Sequence, residues 1–143
     1  MDRIAGIDFG NVRIGVAISD TRRILASPFK TFQAGKNHKE TAKILAEGLK
    51  EHFPLESIVI GLPLHLSGKE SDMSQKAREL GAFLKELLNI EIIFWDERLS
   101  SLQVQRTLKE AEFSRKKQVP LLDKMAAAAI LQNYLDSRSL SLP

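Results

Sequence analysis

Arg3-Ile4-Ala5-Gly6-Ile7-Asp8 and Val12-Arg13-Ile14-Gly15-Val16-Ala17-Ile18-Ser19 are two short apolar runs separated only by Phe9-Gly10-Asn11. Runs of this length, rich in Ile, Val and Ala and bounded by turn formers, predict two paired strands. Gly10 and Asn11 both tolerate positive φ, so the break predicts a hairpin turn. After the Ser19-Asp20-Thr21 turn, a third strand is expected around Arg23 to Ala26. Pro28 should limit it, because proline has no N–H to give to a sheet ladder.

The pattern then changes period. Asn37, with Glu40 three residues on, reads as a helix start, and Ala42, Leu45, Leu49 and Phe53 recur at helical spacing until Pro54. Ser57 to Gly61 is an apolar run of the kind expected for a strand buried on both faces in parallel pairing. Leu62 to Ser71 reads as an irregular loop, Ala77, Leu80, Leu84, Leu87 and Leu88 as a second helix, and Ile90 to Trp95 as a fifth strand. Ser100 with Gln103 predicts a helix to about Ala111. The basic stretch Arg115-Lys116-Lys117 should link it to a last helix beginning near Pro120. Three antiparallel strands followed by helix, strand, helix, strand and helices give an α/β fold: one domain over residues 1–143, with a mixed five-stranded sheet flanked by helices. In such sheets ligands gather at the carboxyl ends of strands.

Composition narrows the chemistry. The 143 residues contain no cysteine, so disulfides, thiolate zinc sites and cysteine nucleophiles are excluded, and any metal must be held by oxygen or imidazole. The net charge of +3 suits a polyanionic partner without demanding one. No apolar run is long enough for a membrane span, and the first residues lack the layout of a signal peptide, so a cytoplasmic protein with no membrane partner is expected.

Three acidic positions are unusual for surface charge. Asp8 ends one apolar strand, and Asp96 and Glu97 end another. Asp123 opens the last helix and shares a stripe with Ala127, Ile130 and Tyr134, spaced i, i+4, i+7 and i+11. An inward carboxylate costs several kcal/mol unless something pairs with it. Each position has a plain structural reading: Asp8 brackets a turn, Asp96 or Glu97 bonds Arg98, and Asp123 pairs with Arg98 or Arg13. Taken together, three carboxylates at one sheet edge repel one another unless a cation bridges them, and Mg²⁺ or Mn²⁺, one or two ions, would satisfy the set. Two such ions can hold the attacking and leaving oxygens of a phosphodiester. His38 and His52 read as surface residues, whereas His65, in the loop after the fourth strand, is placed to position water or phosphate.

Gly6-Ile7-Asp8-Phe9-Gly10, Arg13-Ile14-Gly15-Val16-Ala17 with Ser19-Asp20, Gly61-Leu62-Pro63 with Gly68, Asp96-Glu97-Arg98, and Asp123-Lys124-Met125-Ala126-Ala127 with Ile130-Leu131-Gln132 and Tyr134-Leu135 resemble the motifs of the bacterial YqgF family, in order, over nearly the whole chain. The resemblance implies a ribonuclease H-like fold and a nuclease that matures the 5′ end of pre-16S ribosomal RNA, with a role in ribosome biogenesis and contact with the ribosome. It also carries an older description as a Holliday junction resolvase. It implies that Asp8, Glu97 and Asp123 are catalytic metal ligands, with Asp96 auxiliary. Neighbours at a strand end point to opposite faces, so Asp96 is expected to brace the turn or Arg98 instead.

Arg13, Arg98, Arg115, Lys116 and Lys117, with the loop from Leu64 to Ser71, are expected to form a track for nucleic-acid phosphates. Pre-16S rRNA is the favoured substrate, branched DNA the alternative. A resolvase must cut two strands symmetrically and so needs a two-fold dimer, whereas RNA trimming is open to a monomer. A nucleotide-binding module of the actin-like kind needs two domains, for which the chain is too short. A catalytically idle nucleic-acid- or ribosome-binding protein would have no need of three inward carboxylates.

Overall fold

In the computed structural model, which describes residues 2–99 and 115–140, β1 (Arg3–Asp8) and β2 (Arg13–Ser19) form the expected antiparallel hairpin, with Asp8 opposite Gly15. Its turn does not use positive φ. Among the described residues that conformation belongs to Arg23, Asn89 and Gly68. Glycine is needed at position 10 for space instead, since a β-carbon there would lie 2.5 Å from the Arg13 carbonyl oxygen.

The third strand differs from the expectation. β3 (Ala26–Gln33) begins where the sequence predicts it to end and continues through Pro28. Two circumstances permit this. β3 is an edge strand, and Pro28 pairs with Ala17 next to a register shift between Val16 and Ala17, where the ladder is already interrupted.

α1 (His38–Gly48) is capped by Asn37, whose side chain accepts from the Glu40 N–H. It stops short of Pro54, and a 3-10 turn over Lys50–His52 follows, so Phe53 lies outside the helix, 40% exposed. His52 is no plain surface residue: its ring stands edge-on to Phe29 at 4.6 Å between centroids. β4 (Leu55–Leu62) is parallel to β1 on one side and to β5 (Glu91–Asp96) on the other. Between them, α2 (Asp72–Leu88) starts in a reciprocal cap of Ser71 and Ser74. The sheet order is β3-β2-β1-β4-β5, the mixed five-stranded α/β arrangement expected.

The helix foreseen over Ser100 to Ala111 lies outside the described residues. α3 (Arg115–Leu140) begins earlier than Pro120, so Arg115, Lys116 and Lys117 form its opening turn, not a linker. Arg, Lys and Gln are good helix formers, which suits a helix start ahead of Pro120.

The two faces of the sheet differ in bulk. Alternation along the strands sends Ile7, Ile14, Val16, Ile58 and Ile60 toward α1 and α2, where they pack on Leu45, Leu49, Leu80 and Leu84. Each such fully buried side chain contributes about 1.5–3 kcal/mol. The opposite face presents Ala17 and Val59, with glycines at 6, 15 and 61, to Ala126, Ala127, Ile130 and Leu131 of α3. Small residues on both sides let the helix backbone approach the sheet closely, and this face carries the acidic positions. Among the described residues, no helix is long and apolar enough to cross a membrane.

Candidate active site

Ile4, Gly6 and Asp8 alternate onto the α3 face, so the Asp8 carboxylate belongs to that face at the end of β1. It is 6% exposed. Glu97 follows β5 as the first residue of a 3-10 turn, Glu97–Leu99, and is 4% exposed. Neither is without an interaction partner in the fold.

Gly61 explains how these two approach. A β-carbon at this position of β4 would stand 2.5 Å from Glu97 Oε1 and 2.7 Å from Ile130 Cδ1, so the Glu97 carboxylate lies directly over the glycine. Because Ile7 pairs with Ile60, Gly61 is the next step along β4 beside Asp8. Adjacent strands are about 4.8 Å apart. Glu97 therefore reaches from β5 across β4 toward Asp8, over a position where any side chain would block it. An isolated glycine inside an apolar strand run is the sequence signal for such a close approach, yet Gly61 draws no attention as a site residue.

The third carboxylate is fixed in a different way. Gly15, opposite Asp8, lies against the backbone carbonyl of Asp123, closer than any β-carbon would allow. Asp123 sits well inside α3 instead of opening it, on the stripe with buried Ala127 and Ile130. Its side chain turns to β2, where Oδ2 accepts from Arg13 Nε at 2.9 Å, with side-chain exposures of 34% for Arg13 and 24% for Asp123. Of the two ion-pair partners foreseen for Asp123, the structure uses Arg13.

Arg98 is engaged elsewhere. Its Nε and Nη2 donate to both oxygens of Asp96, and Nη1 donates to the Leu66 carbonyl at 3.1 Å. The Arg98 side chain, then its backbone N–H, hold the Asp96 carboxyl below its usual range. Asp96 thus braces Arg98, as the opposite-face argument requires, and Arg98 ties the end of β5 to the turn at His65–Gly68. That turn is closed by Gly68 N–H to the His65 carbonyl at 2.8 Å, with Gly68 at φ +91°. His65 is exposed in it and joins it through its backbone. The side chains of Arg115, Lys116 and Lys117 lie outside what the structure describes.

Among the described residues, no three carboxylate or imidazole side chains converge as a ready-made metal cage. Asp8 at the end of β1 and Glu97 over Gly61 are both buried at this edge, and carboxylates are the hard oxygen donors that Mg²⁺ or Mn²⁺ takes. Asp123 has the right chemistry and position but is held by Arg13. The donor set has the oxygen chemistry of a divalent-ion site.

A mixed sheet in this order, with helices on both faces, is the ribonuclease H-like fold. Solved structures agree on the fold. The chain superposes on Thermus thermophilus RuvC in complex with a Holliday junction substrate with a TM-score of 0.56, covering 97% of this chain and 96% of that one at 13% identity. On the Fowlpox virus resolvase with Holliday junction DNA the TM-score is 0.57, covering 95% and 98% at 15% identity. The chain belongs to the RuvX family, described as Holliday junction resolvase, whose model matches residues 2–137. Relatives named as candidate pre-16S rRNA nucleases are similar along most of their length. That of Protochlamydia amoebophila is 41% identical over 95% of this chain and 94% of its own, and that of Endomicrobium trichonymphae is 44% identical over 97% and 99%.

Proposed function

We propose that this chain is a cytoplasmic, single-domain endonuclease that hydrolyses a phosphodiester at the 5′ end of pre-16S rRNA during ribosome biogenesis, using Mg²⁺ or Mn²⁺ at Asp8, Glu97 and Asp123. The observation that carries the reading is that two carboxylates, Asp8 at the end of β1 and Glu97 lying over Gly61 of β4, are both buried at the carboxyl edge of the sheet. Burying like charges at one edge is costly without a cation. A bound divalent ion would neutralise charge on a phosphodiester during in-line displacement.

The chain's own contributions follow from placement. Asp8 stands on a strand end held by the sheet ladder and Glu97 on the 3-10 turn that directly follows β5, so both are placed by the sheet. Asp123 stands on a helix whose backbone is seated against Gly15, so only its side chain needs to move. Arg13 beside it offers a guanidinium suited to a phosphate, and the opening turn of α3, with Arg115, Lys116 and Lys117, adds sequence-independent attraction to a nucleic-acid backbone. The names of the relatives favour RNA, and the ribosome as the setting.

The family description favours a second reading, resolution of branched DNA by the same residues. One assay separates them: purified protein with Mg²⁺ or Mn²⁺, given a pre-16S 5′ leader and a four-way DNA junction in parallel, with Asp8→Asn as control. Cleavage of the leader alone, lost in the variant, supports the RNA reading. Symmetric nicking of the junction alone transfers the function to DNA, and cleavage that survives Asp8→Asn refutes the site.

A further inference from the structure

Arg13 is bonded to Asp123, one of the three acidic positions, and its geometry is that of an exchangeable partner. The bond runs from Nε to a single oxygen of Asp123 at 2.9 Å, and no other acceptor among the described residues engages the guanidinium. Both side chains are partly exposed, which makes the pair weak: such ion pairs are worth about 0.2–1 kcal/mol. The Asp123 backbone, by contrast, is pinned against Gly15, so its carboxylate can change partner by side-chain rotation with α3 unmoved. A guanidinium neutralises the Asp123 charge in the way a bound cation would, at a carboxylate whose side chain is able to turn.

We infer that Arg13 is a positioning residue that holds Asp123 in place of the metal and exchanges it for the incoming ion, which releases the guanidinium to receive a substrate phosphate. The inference rests on the metal-site reading above and deepens it by assigning an order: ion first, nucleic acid second. A planar guanidinium suits both partners in turn, a carboxylate and then a phosphate. The exchange couples the two ligands. Metal loading frees Arg13, so it should raise affinity for nucleic acid, and nucleic acid should raise affinity for metal by the same factor.

The sign of one measurement separates this from a plain structural tether. Calorimetric titration of Mn²⁺ into the full chain, without nucleic acid, should show Arg13→Gln binding the ion about two- to fivefold tighter than the parent, the factor equivalent to the lost competing ion pair. Arg13→Lys, which keeps the charge, should remain near the parent. In an Asp123→Asn background the Arg13→Gln change should leave Mn²⁺ affinity unmoved, since the competition has gone. The Arg13 Nε–H resonance should shift when Mg²⁺ is added to the parent and stay put in Asp8→Asn. Equal or weaker Mn²⁺ binding by Arg13→Gln, while Asp8→Asn loses the ion, would overturn the exchange and leave Arg13 a tether. If Asp8→Asn binds Mn²⁺ like the parent, the metal site falls and the inference with it.

Discussion

Gly61→Ala tests the geometry that lays Glu97 over β4, on the side toward Asp8. The added methyl would stand 2.5 Å from Glu97 Oε1 and 2.7 Å from Ile130 Cδ1, where ordinary contact begins at 3.4 Å. The carboxylate must therefore retreat by about 1 Å, and a displacement of that size at a reacting centre costs on the order of 100-fold in rate. Both obstructing atoms are ends of side chains that can rotate, so the stability loss should fall near the low end of the roughly 1–3 kcal/mol for overpacking, a few degrees in melting temperature. Gly81→Ala is the matched control. Its methyl would meet Phe94 Cζ at 2.6 Å on the other face of the sheet, a similar steric insult remote from the carboxylates, partly offset by the roughly 1 kcal/mol gain of alanine over glycine in a helix. Turnover per folded molecule, with folded fraction taken from urea unfolding, is the readout. Gly61→Ala should lose most of its turnover and Mn²⁺ affinity, and Gly81→Ala neither. A Gly61→Ala protein that cleaves within about twofold of the parent would refute the idea that this glycine places Glu97.

Metal titration of Glu97→Ala and Asp96→Ala should show binding lost only in the former, because Asp96 is committed to Arg98; the reverse result would reassign the ligand. Glu56 accepts from both terminal nitrogens of Arg138 at 3.0 Å, and Arg138 holds its carboxyl below the ordinary glutamate value. That pair therefore stabilises the fold above the unfolded value and is lost as pH falls through the depressed folded one. With both side chains about one-third exposed, solvent screening limits the effect of Glu56→Gln to about 0.5–1 kcal/mol at pH 7, and unfolding curves for parent and variant should converge as the pH falls below the ordinary glutamate range. Replacing Lys116 and Lys117 with Ala should weaken nucleic-acid binding alike for different sequences and flatten the slope of log affinity against log salt by about one unit per lost phosphate contact. An unchanged slope would move the substrate track elsewhere.

Most elements were legible from local chemistry. The hairpin of residues 3–19, the Asn37 cap, the β4 run and the β5 run each announce themselves within a few residues, because hydrophobic period and capping are short-range properties. Misreadings occur where a distant element changes the local balance. Pro28 reads as a strand stop, yet β3 passes through it, because its place at the sheet edge beside a bulge makes the missing N–H harmless. Pro120 reads as a helix start, yet α3 begins at Arg115.

The acidic set divides along the same line. Strand alternation and helical spacing suffice to turn Asp8 and Asp123 inward, and opposite-face geometry suffices to separate Asp96 from Glu97. Whether those carboxylates meet is a matter of packing between segments far apart in the chain. The Glu97 carboxylate lies over β4 only because Gly61 has no side chain. The Asp123 backbone lies against β2 only because Gly15 has no side chain, and its carboxylate meets Arg13 across 110 positions of sequence. Periodicity reports which way a side chain points, but the distance between two side chains depends on strand order and on the atoms missing between them, and both are settled when the sheet and helices pack.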